Sequence, residues 1–453
     1  MRIVLIRPNY ESTVISPHIG MGYLSSYLKM RGIETVILDN LLYKYDYKKL
    51  LKKIKDIKPD CVGITCLSAF YRETKDLSLE LKRNGMKVII GGVHPTFLPY
   101  TTLKETKCDF VICGEGEEAL CNLLLNNFDN KTIKGVYKMS DLNSEEHYET
   151  TDLIKNLDSI PFPDWSQIDP KKYPLVPMGT VSKKFPIAPI MTSRGCCGAC
   201  KFCASPFFYK HKVRFRSPEN VIEEIKLLVN EYGVKEIQFI DDNPIVNPDY
   251  AKKLYNLMLE NNLKIPWSCI NGIRADSLTE EMAKLMKNAG CYQVVIGIES
   301  ANNQILNQIG KNETIQQIDE AINTLHSVGI TTRGNFIFGL PGENKSTIEE
   351  TINFALKSKL DRAFFSILDI IPGCALWQNK NYKCNLSYSN TSFVKPNWVP
   401  DGLTSKNLEQ ALARAYRKFY LRPSKFAGIL QDLKPSQYRH LLHRMAVFGI
   451  INN

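Results

Sequence analysis

Short apolar runs alternate with helix-patterned segments throughout residues 1–130. The apolar runs predict five strands, at residues 3–7, 35–39, 61–65, 87–91 and 110–113. The segments between them predict four helices, at residues 21–31, 47–57, 72–83 and 117–126. This alternation predicts a doubly wound, Rossmann-like α/β domain with a parallel sheet, whose ligands bind beyond the carboxyl ends of the strands.

A second alternating region begins at residue 187, where an apolar strand leads into a loop rich in cysteine. Five further strands are predicted at residues 236–241, 267–272, 293–299, 333–339 and 363–370. One helix is predicted before each of these strands, at residues 218–231, 248–261, 279–289, 314–328 and 345–357. Six β/α units predict a partial (β/α)6 barrel over residues 187–375, with the active site at the carboxyl ends of its strands.

The remaining segments lack this alternation. Residues 131–186 are turn-prone and contain Pro161 and Pro163, which disfavour a helix, so we predict a linker there. Residues 376–453 begin with loops and end in basic helical sequence, which predicts a mainly helical C-terminal region.

The composition indicates a soluble chain of more than one domain. Its 453 residues are 44% hydrophobic and 23% charged, and no run approaches the ~18 apolar residues that span a bilayer. The N-terminal apolar run is too short for a signal peptide, so we expect a cytoplasmic protein. Its thirteen cysteines are then expected to be free thiols.

Much of the net charge of +11 lies in the tail. Residues 401–453 hold nine Lys or Arg and three Asp or Glu, so they supply +6 of this charge. A solvated helix face is the main interpretation of this excess, and contact with an anionic substrate, a partner or a membrane surface is the alternative. The local distribution argues against a dedicated nucleic-acid-binding domain.

Four cysteines lie within eight residues after the strand that begins at residue 187. Cys196, Cys200 and Cys203 have the spacing C-x3-C-x2-C on a glycine-containing loop. Thiolates bind zinc or iron–sulfur clusters, and three of them leave one iron of a [4Fe–4S] cluster open to another ligand. A zinc site without its fourth ligand and a set of buried free thiols are the alternative interpretations.

This loop resembles the signature of the radical S-adenosylmethionine enzymes. The resemblance rests on the cysteine spacing, on Ser193-Arg194-Gly195 before it and on Phe202 before the last cysteine. It implies that the three spaced cysteines hold a [4Fe–4S] cluster whose open iron is chelated by S-adenosylmethionine. Cys197 stands where relatives carry proline and is not expected to be a ligand.

The first domain resembles the cobalamin-binding domain that precedes many radical S-adenosylmethionine cores. The resemblance covers residues 17–24, 91–96 and 108–117. The residues that it implies for the pocket of the corrinoid and its nucleotide tail are Gly91, Gly92, His94, Gly114 and Glu115.

The loop at residues 7–13 departs from other cobalamin domains, because it contains no histidine to ligate cobalt. Leu67 and Ser68 are therefore expected to face the lower side of the corrin. His18 is the nearest replacement ligand, and a helix-capping role is its alternative.

The resemblance also implies S-adenosylmethionine contacts at the ends of the barrel strands. They are Asp241 and Asp242 for the methionine amino group or the substrate, Glu299 and Ser300 for the ribose and methionine, and Arg274 and Arg333 for the carboxylate. Ordinary strand-end capping is the alternative role for the pair Asp241 and Asp242 and for the pair Glu299 and Ser300.

Both cofactors together imply a methyltransferase that acts on an unactivated carbon of a small metabolite or natural product. It would also need a reducing electron donor of the flavodoxin or ferredoxin type. Three alternatives remain: a radical cyclase such as the anaerobic ring-forming cyclase of chlorophyll biosynthesis, a tRNA methylthiotransferase, and a non-catalytic corrinoid or iron–sulfur protein. The methylthiotransferase requires further cluster cysteines and an RNA-binding β-barrel, neither of which the sequence indicates.

Overall fold

The computed structural model describes residues 1–12, 14–174, 182–379, 381–382, 393–423 and 425. The chain forms two compact units. The described residues up to 174 make the first unit, and those from 182 onward make the second. Each unit is built on one six-stranded sheet.

The first unit is a doubly wound α/β domain, as predicted. Its strands are β1 (Arg2–Arg7), β2 (Glu34–Asp39), β3 (Cys61–Thr65), β4 (Val88–Gly91), β5 (Phe110–Ile112) and β6 (Val136–Tyr137). Its helices are α1 (Ile19–Met30), α2 (Asn40–Tyr43), α3 (Tyr47–Ile57), α4 (Tyr71–Arg83), α5 (Val93–Phe97), α6 (Pro99–Thr106) and α7 (Glu117–Leu125). The strand order is β2-β1-β3-β4-β5-β6, and only β6 runs antiparallel.

Apolar side chains on both faces of this sheet are buried, as a parallel sheet covered by helices requires. Val4, Ile6 and Val62 are fully buried and belong to one hydrophobic core. Side-chain caps mark the starts of surrounding helices. At the start of α3, for example, the Asp46 carboxylate accepts a hydrogen bond from Lys49 N.

The predicted linker is not a separate segment over its described residues, because residues 131–174 pack with the first unit. Ile154 N donates to the Glu115 carboxylate at 2.8 Å, and the Tyr173 hydroxyl donates to buried Asp39 at 2.7 Å. The first unit thus extends past the expected boundary at residue 130, to residue 174.

The second unit is a partial barrel of parallel strands, as predicted. Its strands are β7 (Ile187–Ile190), β8 (Ser193–Arg194), β9 (Arg214–Phe215), β10 (Glu236–Phe239), β11 (Trp267–Ile273), β12 (Cys291–Glu299), β13 (Thr331–Phe338) and β14 (Arg362–Ile367). Its helices are α8 (Ser205–Phe208), α9 (Pro218–Asn230), α10 (Pro248–Glu260), α11 (Glu280–Asn288), α12 (Asn303–Gln308), α13 (Ile315–Ser327), α14 (Lys345–Lys357), α15 (Ala375–Gln378) and α16 (Ser405–Tyr420). The main sheet has the order β14-β13-β12-β11-β10-β7, and β8 pairs with β9 separately.

Helix α16 covers the open edge of this sheet at β14. The Tyr416 hydroxyl accepts from Phe365 N at 3.1 Å and donates to Phe365 O at 2.8 Å. The Tyr420 hydroxyl makes the same pair of bonds with Ala363, at 3.1 and 2.6 Å. Two tyrosines one helical turn apart thus satisfy backbone groups that an edge strand leaves unpaired.

The helical tail is confirmed at α16, whereas the sequence beyond residue 425 lies outside the described residues. In the described part of the chain, no helix is both long and apolar enough to cross a membrane. The sequence pattern missed two helices of the first unit, α5 and α6, which lie between β4 and β5 where no helix was predicted.

Candidate active site

The cysteine loop is anchored at its base. It leaves the short ribbon formed by β8 and β9. Asp241, which is 1% exposed, accepts hydrogen bonds from the backbone N–H groups and the hydroxyls of Thr192 and Ser193. These bonds fix the start of the loop at the carboxyl ends of β7 and β10.

Three thiols of this loop are partly buried, and the fourth is exposed. Cys196, Cys200 and Cys203 belong to the first group, and Cys197 is exposed. Burial raises the pKa of each of the three thiols, that of Cys203 to about 12. A bound metal offsets this effect because it stabilises the thiolate.

The three thiols share a loop but do not form a preassembled metal site. Among the residues that the structure describes, no three His, Cys, Asp or Glu side chains converge closely enough to hold a metal ion. The fit to an iron–sulfur cluster therefore rests on the donor set, which is three partly buried thiols on one anchored loop.

A buried group of charges lies beside this loop; we call it the Lys311 group (Glu299, Lys311, Glu313 and Arg274). Glu299 ends β12 with a φ of 66°, a left-handed conformation uncommon outside glycine. Its carboxylate lies 3.8 Å from Lys311 Nζ, which lies 3.1 Å from the Glu313 carboxylate. Arg274, just after β11, donates to the Lys311 carbonyl at 3.0 Å.

The Lys311 group acts electrostatically on Cys200. Burial raises the pKa of this thiol, Lys311 and Arg274 lower it, and Glu299 raises it. A backbone hydrogen bond joins the cysteine loop to the turn that carries Lys311, because Lys201 N donates to Ile309 O at 2.8 Å. The carboxyl end of β11 and the turn between α12 and α13 therefore place the cations Arg274 and Lys311 beside the cysteine loop.

In the first unit, a partly exposed surface lies at the carboxyl ends of β3 and β4. Leu67 is 41% exposed there, and Ser68 and Gly91 are partly exposed. Ser68 Oγ lies 2.9 Å from His94 Nδ1, and the His94 ring stacks on Tyr71 with centroids 4.1 Å apart. An exposed apolar side chain beside a hydroxyl and a glycine suits a large ligand with both apolar and polar atoms.

Comparisons with known proteins match both units of the chain to known families. The sequence profile of the Radical SAM superfamily matches residues 190–355, and that of the B12 binding domain matches residues 10–124. An uncharacterized methyltransferase of Pyrococcus horikoshii is 33% identical over 439 residues, which is 93% of each chain. The chain belongs to the cobalamin-dependent radical S-adenosylmethionine family.

Two other comparisons cover most of the chain. The anaerobic magnesium-protoporphyrin IX monomethyl ester cyclase of Cereibacter sphaeroides is 31% identical, over 94% of this chain and 71% of that protein. The radical S-adenosylmethionine methyltransferase TsrM from Kitasatospora setae, solved with tryptophan and an S-adenosylmethionine analogue, is 16% identical with a TM-score of 0.73. The superposition covers 96% of this chain and 90% of the TsrM chain, and the likeness shows the shared fold.

As a member of this family, the protein is an enzyme whose cofactors are a [4Fe–4S] cluster, S-adenosylmethionine and cobalamin. The cysteine loop has the donor set for the first of these. The Lys311 group supplies charges of both signs, which suits the amino acid part of S-adenosylmethionine. The exposed strand ends of the first unit suit the corrinoid.

The two adjacent aspartates expected to contact S-adenosylmethionine have different environments. Asp241 is buried and accepts hydrogen bonds from Thr192 and Ser193 at the base of the cysteine loop, so it positions that loop. Asp242 is exposed and accepts from Ser205 Oγ at 2.6 Å, two residues after Cys203. Asp242 thus lies beside the cysteine loop, and the contact of these aspartates with S-adenosylmethionine stays a prediction.

Two further expected contacts lie elsewhere. Ser300 is fully buried, and its hydroxyl lies 3.4 Å from Thr351 Oγ1, so it joins the turn after β12 to α14. Arg333 is the third residue of β13 and donates to Ile270 O at 3.2 Å. It therefore belongs to the barrel wall and not to the carboxyl end of its strand.

Two residues expected in the corrinoid pocket are buried within the first unit. His94 is 1% exposed, and burial lowers its pKa to about 3, so its neutral ring supports Ser68 from behind. Glu115 is 6% exposed and binds Ile154 N, which holds the segment after residue 130. Both residues therefore have positioning roles within the first unit, and their direct contact with the corrinoid stays a prediction.

The three expected glycines also differ. Gly92 has a φ of 117°, and a Cβ there would lie 2.5 Å from Cys66 O. A Cβ at Gly114, whose φ is 107°, would collide with Thr151. Chain packing requires these two glycines, whereas a Cβ at Gly91 would meet Ile112 only at an ordinary contact distance of 3.9 Å, so Gly91 stays a candidate for ligand approach.

His18 caps a helix. Its Nδ1 accepts a hydrogen bond from Met21 N at 3.1 Å at the start of α1. Burial lowers its pKa to about 4, so the ring is neutral. The capping alternative is confirmed, and the structure gives no support to a cobalt-ligand role.

Sequence reasoning missed Lys311 and Glu313. They lie in the polar turn between α12 and α13, where charged residues are ordinarily solvated. The available signal was the spacing Lys-x-Glu directly after Gly310, and it is too common to single out a site.

Proposed function

We propose that this enzyme transfers a methyl group to an unactivated carbon of a small molecule. When bound, the cluster and S-adenosylmethionine supply a 5′-deoxyadenosyl radical, and cobalamin supplies a transferable methyl group. The observation that carries the proposal is the pairing of both cofactor units over the length shared with the Pyrococcus horikoshii methyltransferase.

The residues of this chain hold the cofactors and position them relative to one another. Cys196, Cys200 and Cys203 hold the cluster, and Asp241 fixes the loop that carries them. Glu299, at the carboxyl end of β12, is placed to orient S-adenosylmethionine. These groups bring the reactants together in a fixed geometry, which is the main contribution of a protein to cofactor chemistry.

The first unit supplies the corrinoid surface. Leu67, Ser68 and Gly91 present an apolar and hydroxyl-bearing surface at the strand ends, where doubly wound sheets bind ligands. The substrate is a small molecule, and one electron per radical comes from a flavodoxin- or ferredoxin-like donor.

A radical cyclase is the second candidate. The observation that favours it is the 31% identity to the Cereibacter sphaeroides cyclase over nearly all of this chain. Cyclisation uses the same radical but leaves the methyl group of S-adenosylmethionine out of the product.

Product analysis separates the two candidates. The anaerobically reconstituted holoenzyme is incubated with dithionite, S-adenosylmethionine labelled in its methyl group, and a small-molecule extract of a strain lacking the gene. A methyltransferase yields a labelled product together with 5′-deoxyadenosine and S-adenosylhomocysteine. A cyclase yields 5′-deoxyadenosine and an unlabelled product, and absence of 5′-deoxyadenosine contradicts radical chemistry altogether.

The cysteine assignments have a matched pair of variants. We expect Cys200→Ala to lose the broad absorbance near ~400 nm of a thiolate-ligated cluster and to stop cleavage of S-adenosylmethionine. Cys197→Ala removes the fourth thiol of the same loop, and this variant is expected to keep both the absorbance and the cleavage. Equal iron content in the two variants would contradict the assignment.

A further inference from the structure

Lys311 is a buried cation next to the cysteine loop. The residue is 5% exposed, although lysine is almost never fully buried unless it is paired. Its Nζ lies between two carboxylates, 3.1 Å from Glu313 and 3.8 Å from Glu299. This pairing keeps the ammonium protonated in spite of its burial.

The position of Lys311 is fixed by its surroundings. Arg274 donates to its carbonyl, and Lys201 N donates to Ile309 O two residues earlier. Gly297 leaves the space that the ion pair occupies, since a Cβ there would lie 2.5 Å from Glu299 Oε1 and 3.1 Å from Lys311 Nζ. The chain thus holds one ammonium group at one place beside the loop.

The turn that carries Lys311 packs closely against the cysteine loop. A Cβ at Gly310, the residue before Lys311, would lie 2.3 Å from Ala199 O, next to Cys200 in sequence. Inside a protein, the effective dielectric constant is lower than in water and salt screens little, so a buried cation acts strongly on a nearby anion.

We propose that Lys311 is a positioning residue that favours the reduced cluster over the oxidised one. The inference rests on the proposed function, because it needs a [4Fe–4S] cluster at Cys200. Reduction takes one electron from an external donor, breaks no bond and makes the cluster one unit more negative. A fixed ammonium next to a cluster ligand stabilises that added charge.

Redox titration of the reconstituted full-length holoenzyme tests this inference. Its midpoint potential is followed by electron paramagnetic resonance while dithionite is added in the presence of mediators. We expect Lys311→Met to make the reduction equilibrium at least tenfold less favourable, which is a shift of 59 mV to more negative potential for one electron. Lys311→Arg keeps the charge and is expected to restore most of this loss.

Lys201→Met is the matched control. It removes an equal charge from the residue after Cys200, but that side chain is exposed, so solvent screens it. Its potential is expected to stay close to that of the unaltered enzyme. A potential for Lys311→Met that equals the value for Lys201→Met would overturn the inference.

Glu313→Gln keeps the test decisive if Lys311→Met does not assemble a cluster. The amide can still accept the hydrogen bond from Asp276 N, but the negative charge is gone. The potential is then expected to move to more positive values, and an unchanged potential overturns the inference. If the unaltered chain itself assembles no cluster, the proposed function fails instead.

Discussion

Glu343 is a carboxyl group enclosed just beyond the end of β13. It is 2% exposed, and one of its oxygens accepts hydrogen bonds from Gly339 N at 2.6 Å and Leu340 N at 3.0 Å. Burial outweighs these two bonds and raises its pKa from 4.5 to about 8. The folded protein therefore holds a proton on Glu343 at pH values where the unfolded chain has released it.

This difference predicts a pH-dependent stability. Between pH 4.5 and about 8 the folded state binds the extra proton, so the contribution of Glu343 is present at low pH and declines as pH rises. The slope is at most about 1.4 kcal/mol per pH unit. Glu343→Gln keeps the acceptor without the charge, so its melting temperature is expected to rise relative to the unaltered protein between pH 5 and pH 8.

Glu260→Gln is the control for this measurement, since Glu260 is exposed at the end of α10. Its melting temperature is expected to follow that of the unaltered protein at every pH. Parallel pH curves for Glu343→Gln and the unaltered protein would show that Glu343 titrates alike in the folded and unfolded states.

At the scale of single residues, spacing predicted the thiols but not their neighbours. The cysteine spacing is a local property of the chain, so the sequence alone indicates an iron–sulfur ligand set. Asp241 and Asp242 are adjacent in sequence, yet only the folded base of the loop decides that the first is saturated. Lys311 gains its place from contacts with residues far away in sequence, which no local pattern records.

At the scale of elements, helix α16 acts as a cover for a sheet edge. Its spacing of apolar and basic residues predicted a helix, but not which surface it packs on. The backbone of β14 supplies the answer, because its unpaired N–H and C=O groups need partners. The i, i+4 spacing of Tyr416 and Tyr420 matches every second residue of the strand, Phe365 and Ala363.

Removing one of these tyrosine hydroxyls tests whether α16 stabilises the edge strand β14. Tyr416→Phe keeps the ring but leaves both backbone groups of Phe365 unpaired in a buried setting. We expect a loss of about 1–3 kcal/mol in the free energy of unfolding, measured by denaturant titration. Tyr47→Phe, on the exposed surface of α3, is the control and is expected to change stability by less than about 0.5 kcal/mol.

Prolines explain the helices that the sequence pattern missed. Helix α5 contains Pro95, and α6 begins with Pro99 at its first position. Proline near the start of a helix costs little, because the missing N–H has no intrahelical partner there. The same residues also favour turns, so their presence after Gly91 and Gly92 gave no helical pattern between β4 and β5.

At the scale of the whole molecule, the chain divides the cofactor work between two units. The first unit has its own parallel sheet and core, and the second has the partial barrel with the cysteine loop. The order of the elements allowed this division to be predicted. The end of the first unit could not be predicted from that order, because residues 131–174 join the unit through scattered contacts such as the one between Ile154 and Glu115.

This division predicts that each cofactor site can be lost alone. Cys200→Ala is expected to lose the iron–sulfur cluster and still take up one equivalent of hydroxocobalamin. Gly92→Ala is expected to do the reverse. A Cβ at Gly92, with its φ of 117°, would lie 2.5 Å from Cys66 O and shift the ends of β3 and β4.

Gly32→Ala separates this displacement from a general effect of glycine replacement. Gly32 also has a positive φ, 76°, but a Cβ there meets nothing within 4 Å. Both replacements carry backbone strain, but only Gly92→Ala moves the strand ends at which we propose that the corrinoid binds. Gly32→Ala should therefore bind cobalamin and keep its iron. Loss of both cofactors in either Cys200→Ala or Gly92→Ala would show instead that the two units assemble their sites together.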